Sequence, residues 1–457
     1  MAEQRDATTY DIIIFGASGF TGKYVIREAL KFLNVPSSPL KSLALVGRNP
    51  SKVAQALQWA SHPNPPPPQI PILTADISAG DPSSLRRIAS QAKIVLNCAG
   101  PFHLYGEPVV AACVDAGCDY LDITGEVEFV ERIEAYYQEK AAANNSLVVC
   151  ACGYDALVAE LAMIFNSRQW VSPAAPNRVE EYLSLESNKR VVFNQTSFDS
   201  LVHEVANDDN LQQLRRSKPT RPLPAIPGPL PKGQILEYKK EIGLWAVRFP
   251  SSLEVPVVQK TLWFLTENPK GAPGVNESAQ QIEKKQSFWS TVKPAHFATN
   301  WTSKSFLGVI RYIIIGMLIW LLGRFCIGRW LLMRFRPVFS LGLFSNGGPT
   351  EEEVASVSFK RWCIGHGYSD ASLASKGNTK PDMKIITRVT GPEIGYSTTP
   401  ITLIQSALVL LNQRHDLPKG GVFTGGIIFG HTDLQQRLQQ NGISFDVISK
   451  ETFSKKI

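Results

Sequence analysis

Hydrophobic positions in the first 150 residues fall into short blocks separated by stretches with helical spacing. Tyr10–Phe15 (YDIIIF) is an almost unbroken apolar run, the pattern of a strand buried on both faces of a parallel sheet. Val25, Ala29, Leu30 and Leu33 then share one side of a helix over Lys23–Leu33. The alternation continues with strands at Leu43–Val46, Pro71–Thr74, Ile94–Ala99, Asp119–Ile123 and Leu147–Cys152. Helices at Ser51–Ala60, Ser83–Ala92, Pro108–Ala116 and Val127–Ala143 separate them, and Asn64–Pro68 is a Pro-rich surface loop. This order predicts βαβ units and an α/β fold: an N-terminal Rossmann-type, doubly wound parallel sheet.

After residue 155 the rhythm changes. Ala156–Asn166 reads as a helix, and Val179–Leu185 alternates like an antiparallel strand. Arg215–Lys232 is a Pro-rich linker or long loop, and Gly243–Val247, Val255–Phe264, Glu353–Gly367 and Lys384–Thr390 are strand-like. Ile401, Leu403, Ile404, Ala407, Leu408 and Leu411 mark one face of a further helix, and Thr432–Asn441 is another. The pattern divides into a dinucleotide-binding domain over 1–155, a mixed α+β substrate domain inserted over 156–395, and a C-terminal return segment over 396–457.

The chain's 457 residues exceed what one core ordinarily supports. Apolar residues at 44% and charged residues at 19% exclude a disordered chain. The seven cysteines are scattered and odd in number. The first six residues read neither as a secretory signal nor as an Arg-rich transit peptide, so a reducing compartment is expected. Cys113, Cys118, Cys150 and Cys152 lack the clustered histidines of a metal site, and His296, His366, His415 and His431 stand alone, so no metal is expected.

The net charge of +7 is localised. Lys284–Thr350 contains no Asp or Glu and carries nine positive charges, which leaves the rest of the chain slightly acidic. Nucleic-acid binders spread such charge over a face interleaved with aromatics. Here it flanks the most apolar stretch, Phe306–Leu332, which points to a membrane surface. The longest uncharged run, Tyr312–Gly323, is twelve residues, well short of the roughly 20 that span a bilayer. An interfacial helix or hairpin over 306–333 is therefore favoured over a single-pass span or a core helix, with Trp301, Trp320 and Trp330 as anchors.

Between the first strand and its helix lies Gly16-Ala17-Ser18-Gly19-Phe20-Thr21-Gly22, spaced G-x-x-G-x-x-G. Glycine permits the tight turn and close approach of backbone to a pyrophosphate, which the helix N-terminus then attracts. The second strand ends in Gly47-Arg48-Asn49 with no acid nearby. A carboxylate at this place accepts from the ribose of NAD, whereas a guanidinium clamps the 2′-phosphate of NADP. NADP is therefore preferred over NAD. Asn97, Ala99, Gly100 and Pro101 close the fourth strand over the same crevice, and Asp76 faces its adenine end.

YDIIIFGASGFTGKYV, LNCAGPF, CDYLDITGE and ACGYDALVAELA resemble the saccharopine dehydrogenase-like oxidoreductases, most closely the plant members. GPEIGYSTTPITLIQSAL and GGVFTGGIIFGHTDLQQRL resemble the C-terminal part of that family, which is also similar to bacterial trans-acting enoyl reductases. The resemblance covers essentially the whole chain. It implies a membrane, lipid-droplet or mitochondrial setting and a role in lipid or glycolipid metabolism. One departure is Tyr154-Asp155-Ala156-Leu157-Val158, where a Phe-Asp-Ser-Ile-Pro-like run is expected.

A reductase also needs a proton. Asp122, Thr124 and Glu126 follow the fifth strand, and Cys152, Tyr154 and Asp155 follow the sixth. Tyr154, Asp155 and Tyr396 are the candidate catalytic side chains, each of which could equally be structural. Tyr136 and Lys140 form a Y-x-x-x-K pair whose helix reads as a solvated face. No cluster of Arg and Lys stands ready for the carboxylates of saccharopine. An oxidoreductase acting on a lipid-linked or otherwise apolar substrate and a non-enzymatic NADP-binding scaffold at a membrane or droplet are the two readings.

Overall fold

The computed structural model describes residues 10–65, 70–79, 81–218, 224–249, 252–375 and 380–453. The polar N-terminus, Pro66–Pro68 of the Pro-rich loop and residues 219–223 of the Pro-rich linker lie outside them.

Six strands come from the N-terminal third: β1 (Tyr10–Phe15), β2 (Leu43–Gly47), β3 (Ile72–Thr74), β4 (Ala92–Asn97), β5 (Asp119–Asp122) and β6 (Leu147–Val149). With β15 (Gly421–Phe423) they form a parallel seven-stranded sheet ordered β15-β6-β5-β4-β1-β2-β3. The chain runs outward from β1 in one direction and from β4 in the other, so β1 and β4 flank a topological switch point, where ligands of open α/β sheets bind. Ile12 and Ile14 join one buried cluster and Ile13 and Phe15 the other, which is why YDIIIF lacks alternation. Helices α1 (Phe20–Leu30) and α2 (Pro50–Ser61) cover the first face together with Thr399–Gln413. Helices α3 (Pro82–Ala89), α4 (Phe102–Ala116) and α5 (Val127–Ala143) cover the second.

The expected start of α4 at Pro108 is corrected to Phe102. The Glu126 carboxylate accepts from the Phe102 and His103 N–H groups at 2.9 and 2.7 Å. A distant acceptor thus caps a helix turn that local sequence leaves uncapped.

The second sheet is built from β7 (Ala175–Ser187), β9 (Leu236–Lys239), β10 (Leu244–Val247), β11 (His296–Ser303), β13 (Val357–Tyr368), β14 (Met383–Pro392) and β16 (Ser444–Thr452). Its order is β16-β14-β13-β7-β11-β10-β9, antiparallel except for β7 with β11. β8 (Phe193–Asn194) and β12 (Phe344–Ser345) form a small parallel pair. Helices α6 (Ala159–Ser167), α7 (Gln195–Ala206), α8 (Asp208–Ser217), α9 (Glu254–Glu267) and α10 (Ala279–Ser290) complete this half with α11 (Phe306–Gly323) and α12 (Cys326–Arg334). The apolar core runs unbroken from the first sheet through α6 to β7, β13 and β14.

Two expected strands are corrected. Val255–Phe264 is α9: Val257, Val258, Thr261 and Leu262 are buried with helical spacing, and burial outweighs the strand preference of the β-branched Val257, Val258 and Thr261. Glu353–Ser356 is helical, fixed by a reciprocal cap between Thr350 and Glu353, and the strand begins at Val357. The chain after residue 396 serves both sheets: Thr399–Gln413 and β15 return to the first, while β16 extends the second.

Candidate functional site

A cleft of about 470 Å³ lies at the switch point. The glycine loop forms one bank. Gly16 has φ +72°, and a Cβ there would lie 2.8 Å from the Ala99 nitrogen. A Cβ on Gly22 would lie 2.2 Å from the Gly16 oxygen. Neither position admits a side chain, so the loop backbone stays bare and close to the β4 edge. No side chain caps α1 among the described residues, which leaves its first turn free to attract phosphate. This cradle fits a dinucleotide pyrophosphate.

Gly16, Ser18, Gly19, Phe20, Thr21, Arg48, Asp76, Ala99 and Gly100 all line the cleft. Ala17 and Asn97 are fully buried behind it. Asn97 accepts from the Ala99 N–H at 3.0 Å and donates to the Tyr120 hydroxyl at 3.1 Å, so it shapes the loop from below. Gly22 lies inside α1, and Pro101 is the residue before α4. Arg48 is exposed at the far end. Asp76 stands near it and accepts from the Ser78 N–H and hydroxyl, which with the Arg48 charge hold its carboxyl below the usual range.

The opposite end is floored by two irregular turns, Tyr154–Val158 and Ile394–Thr398, both wound as π-helix, a geometry frequent at functional sites. They meet where the Tyr154 N–H donates to Thr399 Oγ1 at 3.1 Å. Tyr154 is buried under Arg361, whose Nε donates to the phenol at 3.2 Å and whose Nη1 donates to Glu181 at 2.6 Å. Burial pushes the phenol far up despite the guanidinium. Tyr396 stacks edge-on against Phe20 at 4.8 Å and accepts from the Asn194 N–H at 2.8 Å. Asp155 faces the cleft and is exposed to it. The enclosing walls restrict its hydration and raise its carboxyl, against the pull of Arg361.

Sequence reasoning did not find Arg361, Glu181 or the wall helix α7. Their contacts join segments about 180 residues apart, and α7 carries no motif. Asp122 and Glu126 are taken up by backbone N–H groups: Asp122 accepts from Ala151 and Thr124, Glu126 caps α4. Tyr136 is exposed and Lys140 pairs with Asp115 at 2.5 Å, which places the Y-x-x-x-K pair outside the cleft.

A family model described as the saccharopine dehydrogenase NADP binding domain matches residues 12–149. Over 448 residues the chain is 58% identical to an Arabidopsis thaliana protein named probable mitochondrial saccharopine dehydrogenase-like oxidoreductase, covering 98% of each. The chain belongs to the saccharopine dehydrogenase-like oxidoreductase family. This family member is an NADP-binding oxidoreductase. A Caenorhabditis elegans relative named lipid droplet localized protein is 29% identical over 459 residues, covering 96% of this chain and 99% of its own. In fold, the chain resembles the saccharopine dehydrogenase (L-Glu forming) of Saccharomyces cerevisiae, with TM-score 0.50, 9% identity, and 96% and 100% of the two chains covered.

Proposed function

We propose that this oxidoreductase acts on a lipid-linked or otherwise apolar substrate at the surface of a membrane or lipid droplet. The supporting observation is that one helix serves both the cleft and the apolar segment. Thr196, Ser200 and Glu204, four residues apart on α7, line the cleft. Phe198 and Val202, on another face, are fully buried with Ile315, Ile319 and Leu332 of α11 and α12. Arg336 adds a two-pronged ion pair to Asp199 of α7 at 2.7 and 2.9 Å.

The α11–α12 pair otherwise faces outward: Leu307, Met317, Trp320, Phe325, Ile327 and Trp330 are each more than half exposed. Arg324 lies over the Trp320 ring and Arg334 over the Phe335 ring. Among the described residues no carboxylate pairs with Arg311, Arg324, Arg329 or Arg334, so these cations are available to anionic headgroups. The 18 residues of α11 extend about 27 Å, and the exposed band fits a helix lying in the interface. The helical stretch from Ile394 to Asp416 is also long and apolar, though less so than α11, and is mostly buried, as a core element should be.

Bound NADPH supplies hydride. We assign its pyrophosphate to Gly16–Gly22, its 2′-phosphate to Arg48, and its nicotinamide end to Ala99, Gly100 and the Tyr154–Asp155 turn. Tyr154 and Tyr396 brace the floor, and Asp155 orients the substrate. Arg48 is the single basic side chain among the described lining residues. The cleft therefore has no cation at its substrate end for several carboxylates, whereas Phe193, Leu201, Leu253, Trp301 and Phe344 line it there. Stopped-flow oxidation of NADPH with a panel of enoyl and keto lipids tests the reading. Hydride transfer to one of them is expected. Binding of NADPH without transfer to any would favour the scaffold.

A further inference from the structure

Glu126 is saturated. It accepts from the N–H groups of Phe102 and His103, from the Ser200 hydroxyl at 2.7 Å and from His103 Nδ1 at 3.1 Å. Burial opposes its charge, but these partners outweigh it and hold the carboxyl below its ordinary range, as a carboxylate. Glu204 stands beside it, with Oε1 accepting from the Val127 N–H at 3.2 Å, and lines the cleft. A second negative charge there is costly. Burial and the Glu126 charge push the Glu204 carboxyl up to about 8.

The N–H groups of Val127 and Glu128 favour a charged Glu204, but burial and the neighbouring carboxylates outweigh them. Glu128 of α5 adds negative charge, itself paired with Arg132 at 2.8 Å. His203 of α7 stacks on His103 of α4 with ring centres 4.3 Å apart, and burial keeps His203 below its ordinary range, hence neutral at pH 7. Arg329 of α12 acts on His203, and Asp199 is neutralised by Arg336. Among the described residues no cation pairs with Glu204.

The position suits proton delivery. The first turn of α7 closes over the β4 loop, with Thr196 within 3.7 Å of where a Cβ on Gly100 would sit. Glu204, about 12 Å further along α7, lines the same cleft beside Glu126, which accepts from the N–H of Phe102, two residues after Gly100. A separate polar pocket of about 540 Å³ is lined in part by His103, Glu128, Arg132 and Asn207.

We propose that Glu204 holds, at neutral pH, the proton that completes reduction of the substrate; this rests on the oxidoreductase reading above. The reduced nicotinamide provides the electron pair as hydride, which forms a C–H bond at one end of a polarised double bond. The atom at the other end takes the proton as the Glu204 O–H bond breaks. The bonding pair stays on Glu204 as carboxylate, which regains a proton from water entering the cleft it lines.

The test has two arms. Infrared pH titration of the full chain, compared with Glu204→Gln, Glu254→Gln, Glu160→Gln and Asp155→Asn, separates the raised carboxyls, since burial also lifts Glu254 to about 8 and Glu160 to about 7. A protonated-carboxyl component that titrates near pH 8, is missing from the Glu204→Gln difference spectrum and is kept in the other three variants is expected. An identical titration in Glu204→Gln, or loss of that component in Asp155→Asn instead, would overturn the assignment. NADPH fluorescence titration establishes that each variant still folds and binds cofactor. The second arm follows NADPH oxidation with a long-chain trans-2-enoyl thioester of coenzyme A. Glu204→Gln is expected to slow it by about 10²–10⁴-fold, with partial rescue by Glu204→Asp, and an undiminished rate would overturn the role. If the unmutated protein oxidises no NADPH with this probe, the proposed function is struck for that substrate, and the infrared arm still decides whether Glu204 holds the proton.

Discussion

Arg361 and Glu181 form an ion pair at 2.6 Å with both side chains fully buried. The pair joins β13 to β7 directly beneath the Tyr154 turn, so a contact within the second sheet fixes the floor of a cleft opened by the first. Arg361→Met should destabilise the protein by about 3–5 kcal/mol, because Glu181 is left charged and buried without its partner. Urea unfolding measures this. A loss below 1 kcal/mol would show that the pair contributes no more than a surface bridge.

The glycine cradle predicts a sharper loss. Gly22→Ala places a methyl group 2.2 Å from the Gly16 oxygen, so the loop must shift away from its phosphate-binding shape. NADPH affinity should fall at least tenfold while most of the fold persists, read by fluorescence titration with circular dichroism as the control.

The proposed role of Arg48 is to set the choice of cofactor. Arg48→Ala should weaken NADPH by roughly 10- to 100-fold, the worth of a charge-assisted phosphate contact, and leave NADH almost unchanged. Equal affinity of the unmutated protein for the two cofactors would refute the assignment.

The outward face of α11–α12 predicts lipid attachment. Replacing Met317, Trp320 and Trp330 together with Ser should abolish co-flotation with vesicles containing phosphatidylserine and leave NADPH binding intact. Raised salt should weaken attachment of the unmutated protein in part, because only the arginine contribution is screened.

Glu160 predicts a pH dependence of stability. Burial raises its carboxyl to about 7, against hydrogen bonds from Thr261, Thr424 and the Gly426 N–H. The unfolded carboxyl titrates near its ordinary value, so between about 4.5 and 7 the folded state binds more protons. Stability should therefore fall as pH rises through this window, and Glu160→Gln should flatten that slope in denaturation at a series of pH values. An unchanged slope would remove Glu160 as its cause.

The glycine loop proposed to hold phosphate is legible in the sequence alone. Gly16, Gly19 and Gly22 lie within seven residues, and the strand and helix flanking them are written in local hydrophobic spacing. The wall helix α7 is not, since Thr196, Ser200 and Glu204 gain meaning only opposite Gly100 and Val127. Sequence spacing also misread α9, where valines favour a strand but the surrounding core selects the helix.

The sequence by itself therefore determined the parallel sheet, its glycine cradle, Arg48 at the second strand and the acid-free apolar segment, because each depends on residues within a turn or two of one another. Only the tertiary structure decided that β16 completes the second sheet while β15 completes the first, and that Glu126 is a capped carboxylate beside Glu204. It also showed α7 joining the cleft to the exposed apolar pair. Burial, the direction of a raised carboxyl and the partner of an N–H are properties of neighbours brought together across long loops, and local spacing carries no record of those encounters.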